Sequence, residues 1–161
     1  MTATPFELSK KSIYESIMDV VELWAVNRSK DPKTKVGAGI YDDTTGALFL
    51  GYNGFAKGVA DLACRWERPI KYDYVIHAEE NAILKAVAAL GRDTSACVMF
   101  CTHKPCHKCM SKIAQVGIKR VYYKNKHDDS AITDIIADET ETELVLWEDY
   151  MRRGSDLDVP F

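Results

Sequence analysis

Two short stretches of the sequence decide how the rest of the chain must fold: Val75-Ile76-His77-Ala78-Glu79-Glu80-Asn81-Ala82-Ile83 and Lys104-Pro105-Cys106-His107-Lys108-Cys109. Proline favours the first turn of a helix, so the two cysteines that follow it can place both sulfur atoms on one helix face. His77 and Glu79 are separated by roughly 200° of helix rotation and share no face. A group that contacts all four side chains must therefore lie beyond the N-terminal end of the His77 helix, where the longer Glu79 side chain reaches round to it.

The ligand types in this pattern predict a catalytic zinc ion. Zinc binds imidazole nitrogen and thiolate sulfur, and a catalytic zinc has three protein ligands and one open position. His77, Cys106 and Cys109 supply the three ligands. The partial positive charge of the two helix N-termini favours the thiolate form of the cysteines. Glu79 is then an unligated carboxylate beside the open position, which suits a general acid and base.

Two alternatives use the same residues: a closed structural zinc site and an unmetallated pair of cysteines. A structural zinc usually has four Cys or His ligands, and the obvious fourth candidate, His107, faces elsewhere in its turn. The histidine, the glutamate and the proline together favour the catalytic site. Outside the predicted core strand the sequence offers only Cys64 as a further thiol, so we predict one zinc ion per chain.

The composition and net charge limit the classes of protein to which the chain can belong. The chain has 161 residues, of which 47% are hydrophobic and 28% charged, and a net charge of −3. These values predict one domain over residues 1–161 with a sizeable core, and they disfavour a nucleic-acid partner. The sequence has no apolar run of membrane-spanning length, no signal-peptide pattern and five cysteines, an odd number. We therefore expect a cytoplasmic protein with no membrane partner and no disulfide framework.

Hydrophobic periodicity predicts helices and strands that alternate along most of the chain. A capping box at Thr4 starts a helix that continues to about Asn27. The next strand contains small residues, Gly37 to Gly39, which suit close approach by a helix or a ligand. The further predicted elements are an antiparallel hairpin over 36–52, a segment without periodicity over 55–74, helix 77–90, strand 96–102, helix 105–116, strand 119–123, and helices 128–138 and 141–153. This order predicts a three-layer α/β/α sandwich with a mixed central sheet.

With these features in view, the chain resembles the deoxycytidylate (dCMP) deaminases of the zinc-dependent cytidine deaminase-like superfamily. The zinc motifs are common to the superfamily, whereas the Ser-Lys-Asp-Pro and Gly-Tyr-Asn-Gly segments are similar to the deoxycytidylate branch. The resemblance covers about residues 28–129 and rests on Arg28-Ser29-Lys30-Asp31-Pro32, Val36-Gly37-Ala38, Gly51-Tyr52-Asn53-Gly54, Tyr72-x-Tyr74-Val75-x-His77-Ala78-Glu79-x-Asn81-Ala82-Ile83, Pro105-Cys106-x-x-Cys109 and Gly117-Ile118-Lys119. One departure is His103-Lys104, where similar enzymes have an apolar and a small residue.

The resemblance implies hydrolytic deamination of dCMP to dUMP and ammonia, which supplies dUMP for thymidylate synthesis. In this reaction Glu79 would move protons to the ring nitrogen N3 and to the departing amino group. A tRNA adenosine deaminase is an alternative with the same zinc motifs, but the acidic chain disfavours it. The free-nucleoside cytidine deaminases are a further alternative. They resemble one another in having Cys-Ala-Glu where this chain has His77-Ala78-Glu79, which disfavours them. A metal-bound, inactive binding subunit would have no need of Glu79.

Substrate contacts are expected from residues on both sides of the zinc motifs. A monophosphate needs cationic donors, and Arg28 and Lys30 are the candidates. The alternative is that both residues are solvated surface charges. The resemblance implies that Asn53 reaches the sugar. Ala78 and Thr102, which adjoin the predicted ligand segments, complete the predicted substrate-binding set.

The resemblance also implies regulation. Similar enzymes are homohexamers that dCTP activates and dTTP inhibits, with the triphosphate and Mg²⁺ held near the Gly-Tyr-Asn-Gly turn. Gly51 and Gly54 would let phosphate approach the backbone amides, and Tyr52 would add an aromatic contact. The alternative for this turn is a simple reversal of the chain.

Overall fold

Helices and strands alternate along most of the chain in the computed structural model, which describes residues 11–91, 93–126 and 130–153. A 3₁₀ turn at Ala63–Trp66 interrupts the segment for which the sequence shows no periodicity. The helices are α1 (Ile13–Arg28), α2 (Lys71–Tyr74), α3 (Ala78–Leu90), α4 (His107–Gln115), α5 (Ala131–Glu139) and α6 (Trp147–Arg153). The strands are β1 (Gly37–Asp42), β2 (Leu48–Tyr52), β3 (Gly54–Phe55), β4 (Val75–Ile76), β5 (Cys97–His103), β6 (Arg120–Asn125) and β7 (Glu143–Leu146).

The main sheet is mixed, with strand order β2-β1-β5-β6-β7. Strand β1 pairs antiparallel with both β2 and β5, which confirms the predicted hairpin. Strands β5, β6 and β7 are parallel, as expected for strands joined by helical crossovers. A separate two-stranded sheet joins β3 to β4, directly before the His77 motif.

The central strand β5 is buried on both faces of the sheet. Its residues Met99 and Cys101 lie in a core with α3, α4 and α5. Its residues Val98 and Phe100 lie in a second core with α1 and α6. Helices therefore cover both faces of the sheet, and the predicted three-layer α/β/α sandwich is confirmed.

Helix α1 packs directly on β1 through a glycine. A Cβ atom added at Gly37 would lie 2.5 Å from the carbonyl oxygen of Val21, so a larger residue would push the helix away. This contact confirms the prediction of a close approach at this strand. The helix begins with a capping box in which Ser12 Oγ accepts the Glu15 N–H and Glu15 accepts the Ser12 N–H. The capping box predicted at Thr4 lies outside the described residues, but the prediction of one helix from there to about Asn27 is wrong at its start, because Ser12 is in an extended conformation and α1 begins at Ile13.

The prediction of a helix over 141–153 is wrong in its first half, where the chain forms β7. Leu144 and Leu146 contact the core beneath α3 and α4, while Val145 lies in the opposite core. The segment pairs parallel with β6, with Leu144 opposite Val121. This partner is distant in sequence, so the local apolar spacing did not reveal the strand. The preceding helix is α5, and the start predicted for it at 128 lies outside the described residues.

The segment between β3 and β4 folds back beside the His77 motif. The rings of Phe55 and Trp66 stack with centroids 4.1 Å apart, and Phe55 also contacts Tyr74. These aromatic contacts hold the middle and the C-terminal end of the segment against the small β3–β4 sheet. Over the parts of the chain that the structure describes, no helix has the length and apolar character needed to cross a membrane.

Candidate active site and metal centre

The N-termini of two helices meet where the sequence predicts the metal. His77 is the N-cap residue of α3, with ψ of 152°, and Cys106 is the N-cap residue of α4, with ψ of 163°. Strand β4 leads into the first of these caps and strand β5 leads towards the second. Helix α4 begins at His107, two residues later than predicted from Pro105. The side chains at both caps therefore point beyond the helix ends, towards each other.

The three predicted ligands are close enough to bind one metal ion. His77 Nδ1 lies 3.6 Å from Cys106 Sγ and 3.4 Å from Cys109 Sγ. The ligand atoms of all three residues lie within 4.8 Å of one another. At usual zinc bond lengths, a tetrahedral ion separates nitrogen and sulfur ligands by roughly 3.5 Å. The spacing of these donors thus fits zinc, and their chemistry, one imidazole and two thiols, is the type that zinc prefers.

The electrostatics of the cluster favour a cation. The hydrogen bond with Cys109 lowers the pKa of the Cys106 thiol to about 3, although burial opposes the shift. The same hydrogen bond, with burial, raises the pKa of Cys109 well above its usual value. The hydrogen bond with Cys106 raises the pKa of His77, against the effect of burial. The pair of cysteines therefore holds a negative charge and a shared proton, and metal binding would release protons from the cluster.

Glu79 lies in the first turn of α3, only 4% exposed. Its burial raises the pKa of the carboxyl group to about 7. A carboxyl group with a pKa near neutrality can both accept and return a proton at physiological pH. Glu79 is therefore suited to proton transfer beside the three candidate ligands.

A cavity of about 160 Å³ opens beside these residues, and we call it the main cavity. Five of the predicted site residues line it, together with residues from the segment before β1, from the loop before α2 and from α2 itself. The lining residues are Thr34, Val36, Asn53, Arg68, Lys71, Tyr72, Val75, His77, Ala78, Glu79, His103, Lys104 and Cys106.

Three cations in the main cavity were missed from the sequence: Arg68, Lys71 and Lys104. The Lys104 side chain is only 7% exposed and its ammonium lies 2.7 Å from Asp134. The Lys71 ammonium forms a buried ion pair with Asp31. Among the described residues that line the cavity, Glu79 is the only acid, while Asp31 and Asp134, which do not line it, pair with two of the three cations. The one sequence signal for cations in this cavity was His103-Lys104, where the chain departs from the pattern of similar enzymes.

Arg28 and Lys30 do not line the main cavity. They lie in a second cleft of about 210 Å³, together with Asn27, Ser29, Tyr52, Gly54, Phe55, Asp61 and Trp66. Lys30 pairs with Asp61, and the Arg28 guanidinium lies 5.9 Å from the centre of the Tyr52 ring. The structure thus groups the two predicted phosphate contacts with Tyr52 and Gly54, which the sequence assigned to an effector.

The carboxamide of Asn53 lies in the wall of the main cavity with all its hydrogen-bonding positions engaged. Oδ1 accepts from Ser29 Oγ (2.7 Å) and from the Val36 N–H (2.8 Å). Nδ2 donates to Asp31 Oδ2 (3.2 Å) and to the carbonyl oxygen of Thr34 (2.8 Å). A contact with a sugar would require Asn53 to share or exchange one of these partners.

Thr102 and Gly51, which were predicted to contact the substrate and the effector, make contacts within the fold instead. Thr102 is not among the cavity-lining residues, and its Oγ1 accepts the Gly37 N–H at 3.0 Å. A Cβ atom at Gly51 would lie 2.1 Å from the carbonyl oxygen of Ala78. Gly51 therefore lets α3 approach β2, and it lines neither the main cavity nor the second cleft.

Comparisons with known proteins place this site in a family. The family model of the cytidine and deoxycytidylate deaminase zinc-binding region matches residues 11–125. An uncharacterised deaminase of Aliivibrio fischeri is 46% identical over 101 residues, which cover 63% of this chain and 65% of that protein. The deoxycytidylate deaminase of Mus musculus is 38% identical over 120 residues, which cover 70% of this chain and 66% of that protein. The aligned part of the chain thus spans just under two thirds of the length of these relatives.

A solved structure shares the architecture over a larger part of its own length. The dCMP deaminase of the cyanophage S-TIM5, in complex with dCMP and dUMP, is 30% identical to this chain with a TM-score of 0.68. The match covers 85% of this chain and 98% of the phage chain. Because the family model spans both metal motifs and most of the chain, the resemblance read from the motifs is confirmed: the chain belongs to the cytidine and deoxycytidylate deaminase family.

Proposed function

We propose that this chain catalyses the hydrolytic deamination of dCMP to dUMP and ammonia, and so supplies dUMP for thymidylate synthesis. The observation that carries the proposal is the buried Glu79 beside three clustered zinc-type ligands, two of which line the same cavity as Glu79. The names of the mouse and cyanophage relatives, and the dCMP and dUMP bound to the latter, support the same reaction.

Glu79 performs the proton transfers in this proposal. A zinc ion held by His77, Cys106 and Cys109 would supply the activated water for attack on C4 of cytosine. Glu79 accepts a proton from that water and delivers it to N3 of the ring. It then takes the remaining proton from the new hydroxyl group on C4 and transfers it to the amino group, so that the C4–N bond breaks, ammonia leaves and C4 keeps a carbonyl oxygen. Both transfers use one carboxyl group, and the raised pKa of Glu79 suits this double role.

The substrate phosphate is bound by cations of the main cavity. Arg68 and Lys104 line that cavity, whereas Arg28 and Lys30 lie in the second cleft. Charge-assisted hydrogen bonds to phosphate are short and strong, particularly from the planar guanidinium of arginine. We therefore assign the phosphate to Arg68 and Lys104 in preference to Arg28 and Lys30.

The second cleft is the candidate effector site. Arg28 and Lys30 bring two cations beside Tyr52 and Gly54, a combination suited to a nucleoside triphosphate with Mg²⁺ on its phosphate oxygens. In this proposal dCTP activates the enzyme and dTTP inhibits it. The subunits assemble as a homohexamer, and exposed apolar side chains on α1, Leu23 and Val26, are available for subunit contacts.

A panel of substrates tests the proposed reaction. Ammonia release is measured with cytidine, dCMP, dCTP and a tRNA anticodon stem, each with the wild-type chain and with Glu79→Gln as the inactive control. We expect turnover of dCMP that the control lacks. Activity on the tRNA stem alone would support the tRNA adenosine deaminase alternative, and no activity on any substrate would support a binding subunit.

A further inference from the structure

Asp31 is a buried carboxylate that joins three separate parts of the chain behind the wall of the main cavity. Its side chain is 1% exposed. Oδ1 accepts the backbone N–H groups of Lys33 (2.9 Å) and Thr34 (3.2 Å), and Oδ2 accepts Asn53 Nδ2 (3.2 Å). Oδ2 also pairs with the Lys71 ammonium. One carboxylate thus holds together the segment before β1, the residue after β2 and the start of α2.

Both side-chain partners of Asp31 line the main cavity, whereas Asp31 does not. An effect of Asp31 on a ligand in the cavity can therefore pass through the side chains of Asn53 and Lys71, or through Thr34, which also lines the cavity and whose N–H Asp31 accepts. The amide of Asn53 has a fixed orientation, because Asp31 accepts from its nitrogen while the Val36 N–H donates to its oxygen.

The charge of Asp31 determines where the Lys71 ammonium lies. The Lys71 side chain is 9% exposed, and a buried ammonium needs a paired carboxylate. Burial acts to raise the pKa of Asp31, but hydrogen bonds from Lys71, Lys33 and Thr34 hold it below its usual value, so the carboxylate is charged at neutral pH. Without this charge, the ammonium would be unpaired and would turn towards water in the cavity.

The same cluster borders the second cleft. Ser29 lines that cleft, and its hydroxyl donates to the carbonyl oxygen of Asn53 (3.0 Å) and to Asn53 Oδ1 (2.7 Å). The Asp31 N–H donates in turn to Ser29 Oγ at 3.3 Å. The cluster of Ser29, Asp31, Asn53 and Lys71 therefore forms a polar partition between the two clefts.

We propose that Asp31 is a positioning residue for the main cavity, acting through Asn53 and Lys71 without touching the substrate. It holds the carboxamide and the ammonium in the cavity wall, and so sets the surface that the sugar and phosphate of dCMP meet. The inference rests on the proposed function for the identity of the substrate, while the contacts of Asp31 are independent of it.

The first test is the steady-state kinetics of Asp31→Asn on dCMP, with zinc content measured on the same protein. The asparagine keeps an acceptor for the Lys33 and Thr34 N–H groups but removes the charge that pairs with Lys71. We expect KM for dCMP to rise roughly ten- to a hundredfold, the range of a misplaced binding group, while kcat and bound zinc change little. A KM equal to that of the wild type in a folded, zinc-bound variant would overturn the proposal.

The matched control is Asp42→Asn. Asp42 is also buried and also accepts a backbone N–H, from Thr44 at 2.9 Å, but it lies at the far end of β1 and lines neither cleft. Its loss should lower the denaturation midpoint and leave KM unchanged. If both variants lose stability and neither changes KM, Asp31 has a structural role only.

The double variant Asp31→Asn/Lys71→Gln keeps the test informative if the single variant does not fold. Removal of both charges from a buried pair is often neutral for stability, so the double variant should fold. We expect it to regain stability yet retain the raised KM, because the ammonium is absent from the wall. Recovery of both stability and KM would contradict the positioning role.

A readout without substrate separates this inference from the proposed function. In competitive acetylation followed by mass spectrometry, Lys71 should be protected relative to the exposed Lys57 in the wild type. We expect it to become reactive in Asp31→Asn, but not in Asp42→Asn. Failure of the wild type to deaminate dCMP would refute the proposed function alone, whereas an unchanged Lys71 reactivity in folded Asp31→Asn would refute the role of Asp31.

Discussion

The main cavity and the second cleft lie on opposite sides of one polar partition and differ in chemistry. The main cavity combines an imidazole, a thiol and a buried carboxyl group with three cations. The second cleft has two cations, an aromatic stack and Asp61, and none of the candidate metal ligands lines it. In the proposed function, catalysis uses the main cavity and regulation uses the second cleft. The residues between them, Ser29 and Asn53, belong to one hydrogen-bonded cluster.

The largest effect is expected from the metal ligands of the main cavity. Cys106→Ala or Cys109→Ala should reduce bound zinc from a full equivalent towards zero and lower the melting temperature, because metal binding free energy is also folding free energy. Elemental analysis and thermal unfolding measure the two quantities. Cys64→Ala, at an exposed thiol that is not part of the cluster, is the control and should change neither. A full equivalent of zinc in either ligand variant would contradict the assignment.

Glu79→Gln separates metal binding from proton transfer within the same cavity. The variant should retain zinc, while kcat falls by about 10²–10⁴ or more, because one carboxyl group serves both proton transfers. Single-turnover kinetics with dCMP and zinc analysis on the same sample provide the measurement. Near-normal turnover would remove Glu79 from the mechanism.

Arginines on the two sides of the partition should differ in their effect on the substrate. Arg68→Ala should raise KM for dCMP roughly 10- to 150-fold, the value of a charge-assisted hydrogen bond, with little change for deoxycytidine. Arg28→Ala, assayed without effectors, should leave the discrimination between dCMP and deoxycytidine unchanged. If the two variants exchange these behaviours, the phosphate belongs to Arg28 and the assignment to the main cavity is wrong.

Effector binding in the second cleft should alter the main cavity by a smaller factor. A coupling free energy of typical size changes apparent substrate affinity roughly 5- to 150-fold. The dCMP saturation curve should be sigmoidal, become hyperbolic with dCTP and Mg²⁺, and shift to higher substrate concentration with dTTP. Arg28→Ala should abolish the response, and sedimentation analysis should show hexamers. Hyperbolic curves insensitive to both triphosphates would show that the second cleft is not a regulatory site.

Most features that depend on local residue spacing were predicted correctly from the sequence. Most features that depend on contacts between residues distant in sequence were not. His77, Cys106 and Cys109 converge because each lies at a helix start, and helix starts have local signals such as Pro105. The α/β layers followed in the same way from the alternation of periodic segments. By contrast, β7 depends on pairing with β6, which periodicity of the segment itself does not report.

The cleft that Arg28 and Lys30 enter also depends on long-range contacts. Arg28 ends α1 and Lys30 lies in the segment between α1 and β1, which Asn53 anchors through hydrogen bonds to Asp31 and Thr34. No local pattern distinguishes the two sides of that partition. Similarly, Gly51 matched a phosphate-binding turn in sequence, whereas its contact with Ala78 depends on how α3 packs on β2. The burial and the contact partners of these residues distinguish a binding role from a packing role, whereas residue type alone does not.

The most direct measurement of the central claim is dCMP turnover as a function of bound zinc. Ammonia release from dCMP is followed while a chelator removes the metal and while zinc is added back, with metal content determined at each step. The account predicts that activity falls in proportion to zinc lost and returns with zinc restored. Full dCMP turnover by the chelated protein, or none by the zinc-loaded protein, would contradict it.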